Sequence, residues 1–282
     1  MPLRLLLPVF ALAAAPFLAA ARGPVIWNNA ATFKHTLVSH HTWDSEAIGE
    51  TVGFTVYLPP GYEDSRGQRY PVIYFLHGAG GNENADGPGF AGIVDRLIKA
   101  GRVPPAICVF PNGGMSGYRN NPRTNINAET MIIGELVPLV DRQWRTLAHR
   151  DARVIAGYSM GGGGAVHLSL KHPHLFSAAA SLAGAMTSRD TGEVPAALTV
   201  EALRGHDPVV RLFMVSGFDD TATYASHAAF LRRLDEAHYP YTYRPLRDQP
   251  HHLGKYYQRA GEDLVEFLLA PAAAPATPNA SK

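Results

Sequence analysis

The chain has 282 residues, 46% of them hydrophobic and 17% charged, enough apolar material to bury the core of one α/β domain. Its 25 basic and 24 acidic residues leave a formal charge of +1 with no long run of either sign, which excludes the electrostatic footprint of a nucleic-acid binder. Cys108 is the only cysteine, so no intrachain disulfide can form; Ile107 and Val109 beside it suggest a buried strand position.

The N-terminal run "MPLRLLLPVFALAAAPFLAAARG" has a basic residue at Arg4, an apolar stretch to about Leu18 and a small-residue exit at Ala19-Ala20-Ala21. That layout predicts an export signal over residues 1–21 and a secreted or periplasmic protein. A membrane anchor is the weaker alternative, because the apolar stretch is shorter than the ~20 residues a span needs, and no other segment could span a bilayer. Stable membrane insertion is not expected once the signal is removed. A single domain is expected over residues 22–270, followed by a flexible alanine- and proline-rich tail, 271–282.

Between these ends, strand-like and helix-like stretches alternate. "VGFTVYLPPGY" (52–62) alternates as a strand and stops at a Pro-Pro-Gly turn. "YPVIYFLHG" (70–78) is a continuous apolar run suited to a strand buried on both faces. A helix follows near 90–100, a strand at 106–110, a helix over 128–144, and the strand "RVIAG" that runs into Ser159. Beyond it come a helix to about Lys171, strands at "SAAASLAG" and "VVRLFMVSG", a helix near 221–238, a strand at "YTYRPL" and a closing helix near 255–269. Such alternation predicts a mostly parallel sheet with helices on both faces.

Gly157-Tyr158-Ser159-Met160-Gly161 is a G-x-S-x-G sequence placed where a strand ends and a helix begins. At that sharp turn the serine backbone is strained, and a β-carbon two residues to either side would collide with neighbouring backbone. The bland reading, an ordinary N-cap serine in a glycine-rich turn, leaves this placement unexplained. Gly162, Gly163 and Gly164 are expected to allow close helix-to-sheet packing. A serine nucleophile needs a base oriented by an acid, and in this architecture both follow in chain order on loops after later strands. After the strand 209–215 come Asp219 and Asp220, of which Asp220 is preferred; Asp207 precedes that strand, at the wrong end of the sheet. After the last strand come His251 and His252, with His251 preferred and its neighbour left as a loop residue. Oxyanion donors are expected from the N–H of Met160 and, in the loop "LHGAGGNEN", from Ala79. The pair His40-His41, and His172 with His174, lack further ligands at a zinc-site spacing; all four are expected at the surface, and no metal or cofactor is required. The loop "NGGMSGYRNNPRTN" presents Tyr118, Arg119 and Arg123, either to contact substrate or to hold the loop.

The segments "VYLPPGYE", "YPVIYFLHGAGG", "ICVFPNGG", "ETMIIGELVPLVDRQWRT", "RVIAGYSMGGGGAVHLSLKHPHLFSAAASLAG" and "PHHLGKYY" resemble an esterase family of the α/β-hydrolase fold. That group includes the esterase D-like enzymes, bacterial feruloyl and acetyl-xylan esterases, and the mycolyltransferases. The resemblance implies that Ser159 is the nucleophile and that the loop after His77-Gly78 contributes to the oxyanion hole. Relatives often carry glycine just before the histidine, where this chain has "DQPHH". The implied function is a secreted serine esterase working through an acyl-enzyme, with acetyl or feruloyl esters of polysaccharides as candidate substrates. The alternatives are an acyltransferase of the same fold and a non-catalytic binding protein.

Overall fold

A computed structural model describes residues 25–30, 34–188 and 191–271. The expected signal segment, 1–21, lies outside the described residues, as does the expected tail apart from Pro271.

The sheet begins with β1 (Val38–Ser45) and β2 (Glu50–Tyr57), followed by β3 (Val72–Leu76), α1 (Gly87–Lys99) and β4 (Ile107–Pro111). A small hairpin, β5 (Asn120–Asn121) and β6 (Ile126–Asn127), leads into a helical segment made of α2 (Ala128–Thr130), a π-helical turn (Met131–Leu136) and α3 (Val137–Gln143). β7 (Arg153–Tyr158), α4 (Met160–Lys171), β8 (Ala178–Leu182), α5 (Val200–Arg204), β9 (Arg211–Gly217), α6 (Tyr224–Glu236), β10 (Tyr241–Leu246) and α7 (Leu253–Leu269) complete the order. Eight strands form the main sheet in the order β1-β2-β4-β3-β7-β8-β9-β10. β1 and β2 pair antiparallel, as do β2 and β4; every pairing from β4 to β10 is parallel.

Side chains of a strand alternate between faces, so each central strand feeds two cores. Tyr74, Leu76, Ile155 and Met214 pack with Met131, Leu136, Leu168 and Phe230 on one side. Ile73, Phe75, Ala156 and Val215 pack with Phe90, Val94, Tyr256 and Leu264 on the other. This two-sided burial is why β3, β4 and β8 are buried at every position and read as unbroken apolar runs. Phe75 stacks on Phe90 at 4.4 Å between ring centroids, and truncating such a ring to alanine costs about 3–5 kcal/mol. Cys108 is fully buried on β4, as its neighbours suggest.

Three features depart from the sequence reading. β1 is a strand that the sequence did not announce, because an edge strand with polar side chains has no clean apolar alternation. His40 and His41 therefore lie half-buried within the sheet instead of at the surface: His40 Nε2 is 3.2 Å from the buried Glu83 carboxylate, and the His41 ring packs against Phe54 and Trp144. His172 is likewise half-buried, 2.8 Å from Glu129, whereas His174 is exposed. The helical segment over 128–143 is interrupted by the π turn directly before Pro138, whose missing N–H and bulky ring obstruct regular helical hydrogen bonding.

Candidate active site

β7 delivers the chain to Ser159, which has φ +54° and ψ −116°, a conformation that L residues adopt only under strain. The turn is over-determined by its backbone. Ser159 N–H donates to Leu182 O at 2.9 Å, while its carbonyl accepts from Gly163 N at 3.1 Å and Ala185 N at 2.9 Å. A β-carbon on Gly157 would sit 2.4 Å from the Gly161 backbone, and one on Gly161 would sit 2.0 Å from Leu76 O. Gly162 serves the close helix-to-sheet packing expected from the sequence, since a β-carbon there would sit 2.8 Å from Ser181 Oγ on β8, whereas Gly163 admits the loop after β8, with Ala185 O 1.9 Å from its would-be β-carbon. Gly164 makes room for the Tyr118 ring.

The loops after β9 and β10 bring two further groups to this turn. His251 Nε2 is 2.9 Å from Ser159 Oγ, and its Nδ1 is 2.8 Å from Asp220 Oδ2 and 3.0 Å from Oδ1. Tyr158 stacks beneath the imidazole with ring centroids 4.8 Å apart, fixing its plane. Asp220 is fully buried; Asp219 and Asp207 are exposed. Burial opposes ionisation of Asp220, but hydrogen bonds from His251, from the Tyr256 hydroxyl at 2.8 Å and from Thr223 N–H at 3.2 Å outweigh it and hold the carboxyl below its usual range. His252 faces elsewhere: it caps α7, its Nδ1 accepting the Lys255 N–H at 3.4 Å. The β10–α7 loop can pass this close to β9 because Gly217 has no side chain; a β-carbon there would sit 2.1 Å from Gln249 O.

The glycine-rich loop after β3 is tied down from both sides. Gly78 N–H donates to Asp86 Oδ2 at 2.9 Å, and Gly81 N–H returns to Gly78 O at 3.0 Å. His77 is the central tie. Its Nε2 accepts Gly113 N–H at 2.9 Å, which leaves the proton on Nδ1, 2.8 Å from Gly78 O. Burial depresses the imidazole pKa, favouring this neutral form. The Tyr118 hydroxyl donates to His77 O at 3.1 Å, so Tyr118, fully buried, holds the loop and does not reach the cleft.

Ser159 and His251 open into a cleft of about 1210 Å³, on whose wall Ala79 and Met160 both lie. Arg119 and Arg123 line the same cleft. Tyr256, Thr223 and Asp86 are the site residues that sequence reading missed. Tyr256 occupies a position within α7 with no distinctive local pattern, and only Asp86, just ahead of α1 and near the His-Gly loop, stood where suspicion could have fallen.

The family model described as "Putative esterase" matches residues 45–268. An esterase of Mycobacterium tuberculosis is 38% identical over 160 residues, covering 55% of this chain and 34% of that protein. An endo-1,4-beta-xylanase/feruloyl esterase of Xylanibacter ruminicola is 34% identical over 150 residues, covering 50% of this chain and 21% of that protein. The matched stretches thus span about a third or less of these curated relatives. A solved ferulic acid esterase superposes with a TM-score of 0.73 at 26% identity, covering 82% of this chain and 97% of its own. The strained serine turn, the parallel sheet that carries it and the match over residues 45–268 agree: the chain belongs to this esterase family of the α/β-hydrolase fold.

Proposed function

We propose that the protein is a serine carboxylic-ester hydrolase in which Ser159 is the nucleophile, His251 the general base and then acid, and Asp220 the group that orients the imidazole. The observation that supports this reading most is the continuous relay from Ser159 Oγ through His251 to the buried Asp220 carboxylate, with contacts of 2.9 and 2.8 Å. His251 Nε2 takes the Ser159 proton as Oγ attacks the ester carbonyl; Asp220, ionised, stabilises the imidazolium that forms. The N–H groups of Met160 and Ala79 receive the developing oxyanion, which would be worth about 3–4 kcal/mol per donor. The imidazolium hands its proton to the leaving alcohol, and water activated by the same imidazole releases the acid from the acyl-enzyme.

Acetyl and feruloyl esters of polysaccharides are the first substrates to try, given the resemblance to relatives that bear the feruloyl esterase name. A secreted or periplasmic location rests on the composition of residues 1–21. Among the described residues no helix is long and apolar enough to cross a membrane. The test is release of p-nitrophenol from acetate and longer acyl esters, and of ferulate from methyl ferulate, by the wild type, Ser159→Ala and His251→Ala. Hydrolysis abolished in both variants is expected; equal rates in wild type and Ser159→Ala would overturn the reading. Adding an alcohol acceptor separates hydrolysis from acyl transfer.

A further inference from the structure

We propose that the cleft holds a subsite for an anionic group, centred on Arg119, and that the preferred ester carries a carboxylate on its acyl or its alcohol side. The inference rests on the esterase reading and narrows its substrate class.

Arg119 lines the same cleft as Ser159 and His251. Its guanidinium makes no hydrogen bond and no ion pair with any described residue, and its Nε is buried without a partner. Burying that Nε–H away from water without an acceptor is unfavourable, while the rest of the half-buried guanidinium lines the cleft. The nearby acid cannot serve: Glu129 is already engaged by Lys171 at 2.8 Å, by His172 at 2.8 Å and by His167 at 3.4 Å. Among the described residues two other carboxylates line the cleft. Asp86 is occupied by the Gly78 N–H, and the exposed Glu193 is bonded to Thr191. Neither forms an ion pair with Arg119.

The arginine does not dangle from a loose loop. Tyr118 before it is anchored to His77 O, and Asn120 after it exchanges two hydrogen bonds with Thr130, at 2.8 and 3.0 Å. Arg123 stands in the same wall as an exposed second cation. A fixed guanidinium with unused N–H donors, facing the serine's cleft, matches a planar carboxylate in charge and in donor geometry. Binding energy realised there would position the scissile carbonyl at Ser159.

Two ester pairs separate the sources of the anion. On the acyl side, mono-p-nitrophenyl terephthalate is compared with its methyl ester; on the alcohol side, 4-acetoxybenzoate is compared with methyl 4-acetoxybenzoate. Intrinsic reactivity cancels when the kcat/KM ratio of acid to methyl ester is compared between wild type and variant. Arg119→Gln is expected to lower that ratio about ten- to a hundredfold in one pair, the loss typical of hydrogen bonds to a charged group. Arg119→Lys, which keeps the charge but not the fork, loses less, and added salt raises the wild-type KM for the favoured acid. An unchanged ratio in both pairs overturns the subsite. Calorimetric titration of terephthalate into the wild type and Arg119→Gln gives a readout independent of turnover: weakened binding in the variant is expected, and equal binding overturns the subsite. Wild-type inactivity toward all four esters overturns the esterase reading instead, and the titration then still decides the subsite.

Discussion

The Tyr256 hydroxyl donates to Asp220 Oδ2 at 2.8 Å while accepting the Gly217 N–H at the same distance, so one buried phenol links the acid of the candidate triad to the end of β9. Replacing it by phenylalanine leaves Asp220 with one donor fewer. Tyr256→Phe is expected to lower stability by about 1–3 kcal/mol and to reduce kcat while sparing KM. The sign of the pH effect follows from Asp220. Its folded pKa is depressed below 3.8, so its contribution to stability is present above pH 3.8 and lost as pH falls through the folded value. With a smaller depression, Tyr256→Phe shows a shallower loss in that acid window, measured by denaturant melts at a series of pH values.

Ser159 supplies a second test, because its backbone and its hydroxyl make opposite demands. Ser159→Ala is expected to lose about four to six orders of magnitude in kcat for any ester the wild type hydrolyses. Ser159→Gly should be equally inert but more stable than Ser159→Ala by about 1–3 kcal/mol, since glycine relieves the strain of φ +54°. Thermal melts of the two inert variants check this; equal midpoints would mean the turn stores no strain.

His227 is buried without exposure on α6, and burial depresses its pKa from 6.5 to about 4, against the opposing pull of the Gly184 carbonyl and the Asp220 charge. Its stabilising neutrality is intact above pH 6.5 and is lost as pH falls from 6.5 toward 4, a change on the order of 3 kcal/mol. His227→Met, which cannot take up a proton, should flatten the stability curve across that window. A curve unchanged from wild type would contradict the assignment.

Two glycines in helices should respond oppositely to the same substitution. A β-carbon on Gly163 would lie 1.9 Å from Ala185 O, so Gly163→Ala must displace the loop after β8 and is expected to cost about 2 kcal/mol or more. Gly92, in α1, has nothing within 4 Å of its virtual β-carbon, and Gly92→Ala should stabilise by about 1 kcal/mol through helix propensity. Chemical denaturation of both variants provides the measurement.

Much of the architecture was legible because its signals are local. Apolar runs such as 72–76 and 107–111 mark strands buried on two faces, and the glycines flanking Ser159 mark a backbone too crowded for a β-carbon. Residue order along the chain also placed an acid after β9 and a histidine after β10. Adjacent residues of one type were beyond its reach. Asp219 and Asp220 share a turn, as do His251 and His252, and composition treats each pair alike. Packing separates them: the Asp220 side chain turns inward to Tyr256 and Thr223, and His252 is spent in capping α7. The same holds for the polar residues of β1, whose strand character comes from pairing with β2 across the chain. It holds equally for Arg119 and Tyr118, neighbours on one loop. Backbone anchoring sends the tyrosine into the core and leaves the arginine at the cleft with no partner among the described residues. Periodicity and steric demand are written residue by residue, but the direction of a single side chain depends on contacts between segments far apart in the chain, and those exist only once the sheet has assembled.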